Sequence, residues 1–341
     1  GYYGKYKLLP TLVQLQSDIT SPFPPLDLMV HIGEISAASF NDTIPAKEVW
    51  RVSEDGELRD PFKKLTTVFQ MSEEMFFLHY GKDGCNRHVL IDECRELFGE
   101  IYEQIPELPF CNIWTAMQLS SRLPKGALFH MGVSNTRRCW NMFQLPESVE
   151  SACNVGCCGI DGCVSTLVGA SLVNPDRLCY VVVGDLTFFY DLNSLGNHHI
   201  GTNLRVMLVN NGRGTEFRLG IHHCNVFGDD ADKYMAAAGH FGNKSPLLVK
   251  HYAEDLGFHY LSATTKEEFM TALSNFTNPQ LSDHSMILEV FTDSKDESEA
   301  LYLMSHIQSD AKGMVRSKLK DAVRNVAGEK GINAIKKILK K

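Results

Sequence analysis

The stretch Tyr180-Val181-Val182-Val183-Gly184-Asp185 decides the fold, together with Leu208-Val209-Asn210-Asn211-Gly212 further along the chain. Each is an apolar run that ends in a turn carrying a polar side chain. Uninterrupted apolar strands are buried on both faces, which is typical of parallel sheets covered by helices. The sequence therefore predicts an α/β protein with doubly wound parallel sheets.

The two strand ends carry oxygen donors, and the number of residues between them is informative. Asn211 follows Asp185 by 26 residues, which fits one helix and a return strand. Ligands of such sheets bind at the carboxyl ends of the strands, where the two side chains would meet. A carboxylate, an amide oxygen and a loop carbonyl suit octahedral Mg²⁺, and backbone N–H groups after Asp185 suit a diphosphate. Each strand end alone is equally typical of a plain turn with a helix cap.

The pattern along the chain predicts four parts. Residues 1–25 end in a Pro-rich linker or extended entry, 26–107 form a small α/β domain, 108–305 form a larger one, and 306–341 form a basic amphipathic helical tail. Strands are predicted at 26–33, 48–52, 65–70, 127–131, 150–154, 178–183, 204–209 and 286–291. Helices are predicted at 72–79, 88–104, 111–123, 134–143, 162–172 and 192–199.

Composition and charge set broad limits. The 341 residues are 44% hydrophobic, with a net charge of -8, which excludes a disordered chain. No apolar run approaches the roughly 20 residues that cross a bilayer, so a cytoplasmic protein is expected. The tail carries ten Lys or Arg residues after residue 310 against Asp321 and Glu329. It is expected to touch an acidic partner or a membrane surface, or to be a plain solvated helix; without aromatic residues, nucleic acid is not expected.

Ten cysteines in a chain of this length fit buried reduced thiols. A cysteine–histidine metal site is an alternative, with Cys153, Cys157, Cys158 and Cys163 grouped in sequence and His222-His223-Cys224 further on. The adjacent Cys157-Cys158 lack the paired spacing of structural zinc sites, which disfavours this alternative.

Further segments narrow the interpretation: Gly159-Ile160-Asp161-Gly162 before the first strand end, Tyr190-Asp191-Leu192-Asn193 after it, and Asp27-Leu28-Met29-Val30-His31-Ile32-Gly33 near the start. With the two strand ends, the sequence resembles the thiamine diphosphate (ThDP) superfamily of pyruvate decarboxylase and acetohydroxyacid synthase. Within it, the chain is similar to the 2-succinyl-5-enolpyruvyl-6-hydroxy-3-cyclohexene-1-carboxylate (SEPHCHC) synthase family of menaquinone biosynthesis. The similarity covers residues 25–305 and implies a middle domain and a diphosphate-binding domain.

The resemblance implies a role for each matching residue. Asp185, Asn211 and the main-chain carbonyl of Arg213 would bind Mg²⁺, with Mn²⁺ as an alternative. Ile160 would force ThDP into its bent conformation, and the carbonyl of Cys158 would receive its 4'-amino group. The residues implied in binding the diphosphate end are Gly184, Asp185, Leu186 and Thr187.

The sequence departs from the family in two respects. The pyrimidine-binding domain and its glutamate have no counterpart here, so this domain is expected in cis upstream or on another chain, and the chain alone is expected to be inactive. An arginine of the family aligns with Val155, whereas Arg138 keeps a second one as a candidate for a substrate carboxylate. Glu216 replaces an apolar residue and is a candidate to act on the substrate, although a surface glutamate is an equal alternative.

The resemblance thus implies a decarboxylating carboligase that acts on a 2-oxo acid and an acceptor, in a homo-oligomer. The substrate is expected to have diverged, because Val155 replaces an arginine. A different class of function is a non-catalytic ThDP-fold module for assembly or regulation, which the missing domain also permits.

Overall fold

The structure is a computed structural model that describes residues 10–19, 25–32, 46–81, 89–155, 159–219, 222–234, 245–315 and 318. The chain divides into two compact units. One comprises Gly1–Thr11 and Glu107–Leu303, and the other comprises Leu12–Pro106 and Met304–Lys341. Each contains a sheet of parallel strands with helices, which confirms the predicted α/β class. None of the helices in the described ranges is long and apolar enough to cross a bilayer.

The first part of the chain forms a three-stranded parallel sheet. Its elements are α1 (Pro10–Leu15), β1 (Leu26–Ile32), β2 (Ala46–Ser53), β3 (Leu65–Gln70), α2 (Glu73–Tyr80) and α3 (Val89–Glu103). The strand order is β1-β2-β3, and the three predicted strands are confirmed. The chain enters α2 at Ser72, whose hydroxyl accepts a hydrogen bond from the Met75 N–H and so satisfies one open donor of the first turn.

The residues that begin the predicted tail are tied to the segment after α1. The Gln16 side-chain amide donates to the Met304 carbonyl (2.8 Å), and its oxygen accepts from the Gln308 N–H (3.0 Å). The Ser17 N–H donates to the Ser305 carbonyl. Residues 319–341, which carry most of the predicted tail helix, lie outside the described residues.

The larger sheet has six parallel strands in the order β5-β4-β6-β7-β9-β8. They are β4 (Leu128–Met131), β5 (Glu150–Cys153), β6 (Cys179–Gly184), β7 (Leu204–Asn210), β8 (His259–Ala263) and β9 (Met286–Phe291). The five strands predicted in this region are confirmed, and β8 was missed. It is a short edge strand with mixed burial, so it lacks the apolar run that marked the others.

The helices around this sheet are α4 (Asn112–Ser120), α5 (Asn135–Trp140), α6 (Cys163–Val173), α7 (Asp185–Tyr190), α8 (Ala231–Tyr234), α9 (Leu248–Asp255), α10 (Lys266–Phe276) and α11 (Ser294–Ser305). The prediction of a helix at 192–199 was wrong. The helix α7 starts at the strand end itself, and Leu192–Gly196 is only a 3-10 turn. The residue between them, Asp191, accepts a hydrogen bond from the Ser165 N–H (2.6 Å), and this contact with α6 coincides with the end of α7.

The strand order predicts a ligand-binding crevice beyond the carboxyl ends of β4 and β6. The chain adds β5 outside β4 and then crosses to the other side of β4 to form β6, so the order reverses between β4 and β6. Ligands of open α/β sheets bind beyond the carboxyl ends of strands at such a reversal. The strands there belong to an apolar core, in which Val181, Val183 and Leu208 are fully buried.

Candidate functional site

A cleft of about 220 Å³ lies beyond the carboxyl ends of β4, β6 and β7. It contains most of the residues that the sequence predicted as a site. Its lining consists of Asn112, Val133, Ser134, Asn135, Thr136, Ile160, Gly184, Asp185, Leu186, Thr187, Val209, Asn211, Arg213, Gly214, Thr215, Glu216 and Phe217. Sequence reasoning missed the residues after β4 and Asn112, because no pattern links them to the two strand ends.

One part of the cleft, here called the strand-end wall, is formed by residues 184–187 and by the turn 210–213, of which Asn211 and Arg213 line the cleft. The register pairs Gly184 with Val209, so the two predicted strand ends are neighbours. Asp185 is 3% exposed, and its Oδ1 accepts from the Leu186 N–H (2.8 Å). The wall therefore presents a buried carboxylate beside the second strand end.

The turn after β7 completes this wall. The Asn211 side-chain oxygen accepts from the Arg213 N–H (3.4 Å), and the Arg213 carbonyl accepts from the Thr215 N–H (3.0 Å). Gly212 has a φ of 79°, a conformation that favours glycine because a Cβ would clash there. Asp185, Asn211 and the Arg213 carbonyl thus supply three kinds of oxygen along one edge, which is the donor chemistry that Mg²⁺ prefers.

A buried glutamate holds the same turn from behind. Glu289 on β9 is 1% exposed; its carboxylate accepts from the Asn210 side-chain amide (2.7 Å) and from the Tyr260 hydroxyl (2.7 Å). Burial raises the pKa of Glu289, although both hydrogen bonds act to lower it. Asn210 in turn accepts from the Gly212 N–H (3.2 Å). Glu289 is an acidic residue within the otherwise apolar strand Met286–Phe291. This pattern was the sequence signal that could have predicted its buried role, and sequence reasoning missed it.

A second part of the cleft, here called the ion-pair wall, is formed by Glu216, which lines the cleft in the turn Thr215–Arg218, and by its partner Arg138 on α5. Two parallel hydrogen bonds of 2.8 and 2.7 Å join the guanidinium to both carboxylate oxygens. The side chains are 23% and 20% exposed. Burial lowers the pKa of Arg138, but the hydrogen bonds and charge of Glu216 outweigh it and raise that pKa. The arginine predicted to bind a substrate is therefore engaged by the glutamate predicted to act on one.

Asn112, another residue of the cleft lining, is bound by a second buried acid. The Asn112 N–H at the start of α4 donates to Oε1 of Glu297 (2.9 Å), which also accepts from the Thr292 hydroxyl (2.9 Å). Burial raises the pKa of Glu297 to about 7, and the nearby carboxylates of Asp293 and Asp296 contribute. Its Oε2 is buried without a hydrogen-bond partner among the described residues.

The remaining predictions concern Ile160, Cys158 and the cysteine–histidine metal site. Ile160 lines the cleft ahead of α6, whereas Cys158 lies outside the described residues. Burial raises the pKa of five free thiols, those of Cys94, Cys111, Cys139, Cys163 and Cys179. Within the described ranges no three His, Cys, Asp or Glu side chains cluster as a metal site. The described part of the chain therefore offers no support for the cysteine–histidine alternative.

The fold and the cleft together define a class of protein. They form a parallel α/β architecture with oxygen donors at the reversal of strand order, consistent with ThDP-binding domains. Comparison with curated proteins narrows the class further. Over three quarters of its length, the chain is homologous to SEPHCHC synthases. No protein-family model matches the sequence.

Three relatives illustrate the match, and all are named SEPHCHC synthase. The protein of Bacteroides fragilis is 33% identical over 263 residues, or 75% of this chain and 45% of that protein. The protein of Phocaeicola vulgatus is 32% identical over 265 residues, or 75% of this chain and 44% of its own length. The protein of Christiangramia forsetii is 33% identical over 199 residues, or 58% and 33%. The chain therefore spans less than half the length of these relatives.

Proposed function

We propose that the strand-end wall binds the diphosphate of ThDP through a divalent metal, Mg²⁺ with Mn²⁺ as an alternative. One observation carries the proposal: the buried Asp185 carboxylate and the Asn211 amide lie on neighbouring strand ends in the same cleft. A buried carboxylate needs a counter-charge or hydrogen bonds, and a metal ion supplies the first. Asp185, Asn211 and the Arg213 carbonyl are the proposed ligands.

The other residues suit the same cofactor. Gly184 has an extended backbone (φ -76°, ψ 167°) and no atom within 4 Å of the place where a Cβ would lie, which leaves open space for a ligand at this part of the cleft. Leu186 and Thr187 lie in the first turn of α7, where the Leu186 N–H donates to Asp185. The first turn of a helix also exposes N–H groups that lack a backbone partner in the helix, and such groups are suited to an anion. Ile160 is the proposed support for the bent cofactor, with the carbonyl of Cys158 receiving its amino group.

The proposed activity is decarboxylation of a 2-oxo acid followed by transfer to an acceptor, as in a carboligase. ThDP, when bound, supplies the carbon nucleophile and the electron sink for this chemistry. The chain's own task is to hold the metal and diphosphate and to exclude water from the cleft. A pyrimidine-binding domain, in cis or on another chain, is proposed to complete the site, and a homo-oligomer is the proposed assembly.

A second candidate is a non-catalytic ThDP-fold module. One observation favours it, namely that Glu216 engages Arg138, the arginine expected to bind a substrate. Cofactor binding without turnover, in the presence of a pyrimidine-binding domain, would support this candidate.

The experiment is a titration with ThDP, followed by calorimetry, with Mg²⁺ and with excess chelator. It is run on the chain alone and with a pyrimidine-binding domain. We expect Mg²⁺-dependent binding that Asp185→Ala removes and that Asp176→Ala, at an exposed acid, retains. Absence of binding even with that domain would overturn the proposal.

A further inference from the structure

We infer that Glu216 sets the substrate class of the cleft by excluding a carboxylate from the Arg138 side. The substrate group that contacts this wall is then uncharged and bears a hydroxyl or amide N–H, which the Glu216 carboxylate can accept. The inference rests on the proposed function in one respect, that the cleft holds a substrate.

The geometry of the pair carries the first step. Both terminal nitrogens of Arg138 donate to Glu216, one to each carboxylate oxygen, at 2.8 and 2.7 Å. The nitrogen that makes the longer bond also contacts the Asn135 side-chain oxygen at 3.5 Å. A bidentate pair of this kind uses the same two N–H directions that a substrate carboxylate would need. An incoming carboxylate must therefore displace Glu216 to bind Arg138 in this way.

Glu216, and not Arg138, is exposed to the cleft. Of the pair it is Glu216 that lines the cleft, beside Thr215 and Phe217. A ligand approaching this wall meets a carboxylate first, with the arginine beyond it. Since the pair is about four-fifths shielded from solvent, water screens the repulsion between two carboxylates less than at an open surface.

The remaining charges in the cleft do not reverse this effect. The other acid of the lining is Asp185, on the strand-end wall, where the proposed metal would offset it. Arg213 also lines the cleft, but it belongs to the turn after Asn211, next to the proposed metal ligands. A carboxylate bound there would leave the Glu216 side to an uncharged group. The test therefore separates Arg138 from Arg213.

A hydrogen-bond donor fits the wall without breaking it. Each carboxylate oxygen of Glu216 accepts one bond from Arg138 and has capacity for another acceptor bond. A hydroxyl or primary amide on the substrate can donate to that capacity while the ion pair persists. The chemistry of the wall thus favours a neutral donor group over an anion of the same shape.

The test compares two probes of the same size, succinate and succinamide, by calorimetric titration of the whole chain. Wild type is expected to bind succinamide at least as tightly as succinate. Glu216→Gln leaves Arg138 without its counter-ion, so succinate is expected to bind about tenfold more tightly than to wild type. The double variant Glu216→Gln/Arg138→Met is expected to lose this gain, because Arg213 remains but Arg138 does not.

Glu150→Gln is the matched control. It removes the carboxylate of another arginine pair, Arg177–Glu150 at 2.9 Å, away from the cleft lining, and should leave succinate binding as in wild type. The inference is overturned if wild type prefers succinate, if folded Glu216→Gln shows no gain, or if the gain survives Arg138→Met. Near-ultraviolet circular dichroism verifies folding, and the wild-type preference decides the matter if Glu216→Gln does not fold. No ThDP is needed, so failure of this test is distinguishable from failure of cofactor binding with Asp185→Ala.

Discussion

The two walls of the cleft are built in different ways. The strand-end wall consists of short segments that directly follow neighbouring strands, so its donors are placed by backbone register. The ion-pair wall joins two side chains 78 residues apart, and neither lies on a strand. One cleft therefore combines residues whose positions are fixed by the sheet with residues whose contacts depend on a side-chain pair. Substitution of that pair can change the contacts without changing the sheet. The strand-end wall is the proposed cofactor side, and the ion-pair wall is where specificity can change without disturbing the fold.

The largest expected effect tests whether the strand-end wall works as a metal site. Asn211→Leu removes a proposed ligand and the bond to the Arg213 N–H, so Mg²⁺-dependent ThDP binding should weaken at least about 100-fold. Asn197→Leu is the matched control, because its side-chain oxygen accepts from the His199 N–H two residues on, in an exposed turn. Calorimetry measures both, and equal effects would show that the loss comes from a turn and not from a ligand.

The buried acid that binds Asn112 should make stability depend on pH. The folded pKa of Glu297 is about 7 against an ordinary value of 4.5, so between these values the folded state binds more protons than the unfolded state. Stability should therefore fall as pH rises through this window and level off above it. The total loss is on the order of 3 kcal/mol, since one pKa unit corresponds to about 1.4 kcal/mol.

Glu297→Gln removes the ionisation and should flatten that dependence, with a gain that is visible at pH 8 and absent at pH 4. Urea unfolding at several pH values measures it, and Glu147→Gln at an exposed position is the control. An unchanged slope in Glu297→Gln would mean that another group titrates.

The ion-pair wall should show a coupling of intermediate size. In a double-mutant cycle with Arg138→Met and Glu216→Leu, each single change leaves a largely buried charge alone, whereas the double change removes both. The double variant should be more stable than the sum of the singles predicts by about 1–2 kcal/mol. The more exposed Arg177–Glu150 pair should give a smaller coupling. Strict additivity at Arg138 and Glu216 would argue that the wall is held by packing alone.

The smallest expected effect concerns the support behind the strand-end wall. Tyr260→Phe removes one hydrogen bond to Glu289 and should cost about 1 kcal/mol of unfolding free energy. Because Glu289 also holds Asn210, Mg²⁺-dependent ThDP binding should weaken about threefold. Tyr252→Phe, which removes a bond to the Leu192 carbonyl, should cost similar stability and leave cofactor binding unchanged. If the two variants bound the cofactor with equal affinity, the hydrogen bond to Glu289 would have no effect on cofactor binding.

Much of the larger domain follows from local patterns. Continuous apolar runs such as Val181 to Val183 predicted parallel strands, because a strand buried on both faces needs no alternation. The prediction failed where burial is partial, as in the edge strand β8, and where a tertiary contact intervened, as at Asp191. The candidate site was assembled from the ends of two strands, and it missed the residues that follow β4.

The sequence by itself determined the class of sheet, the strand ends that carry Asp185 and Asn211, and the similarity to one enzyme family. Backbone register made this possible, since parallel neighbours bring their carboxyl ends to one edge whatever lies around them. Only the tertiary structure decided that Arg138 pairs with Glu216, that Glu289 accepts from Asn210 and that Glu297 accepts from Asn112. These contacts span 78 to 185 residues of sequence. They depend on strand order and on burial, which no local pattern specifies.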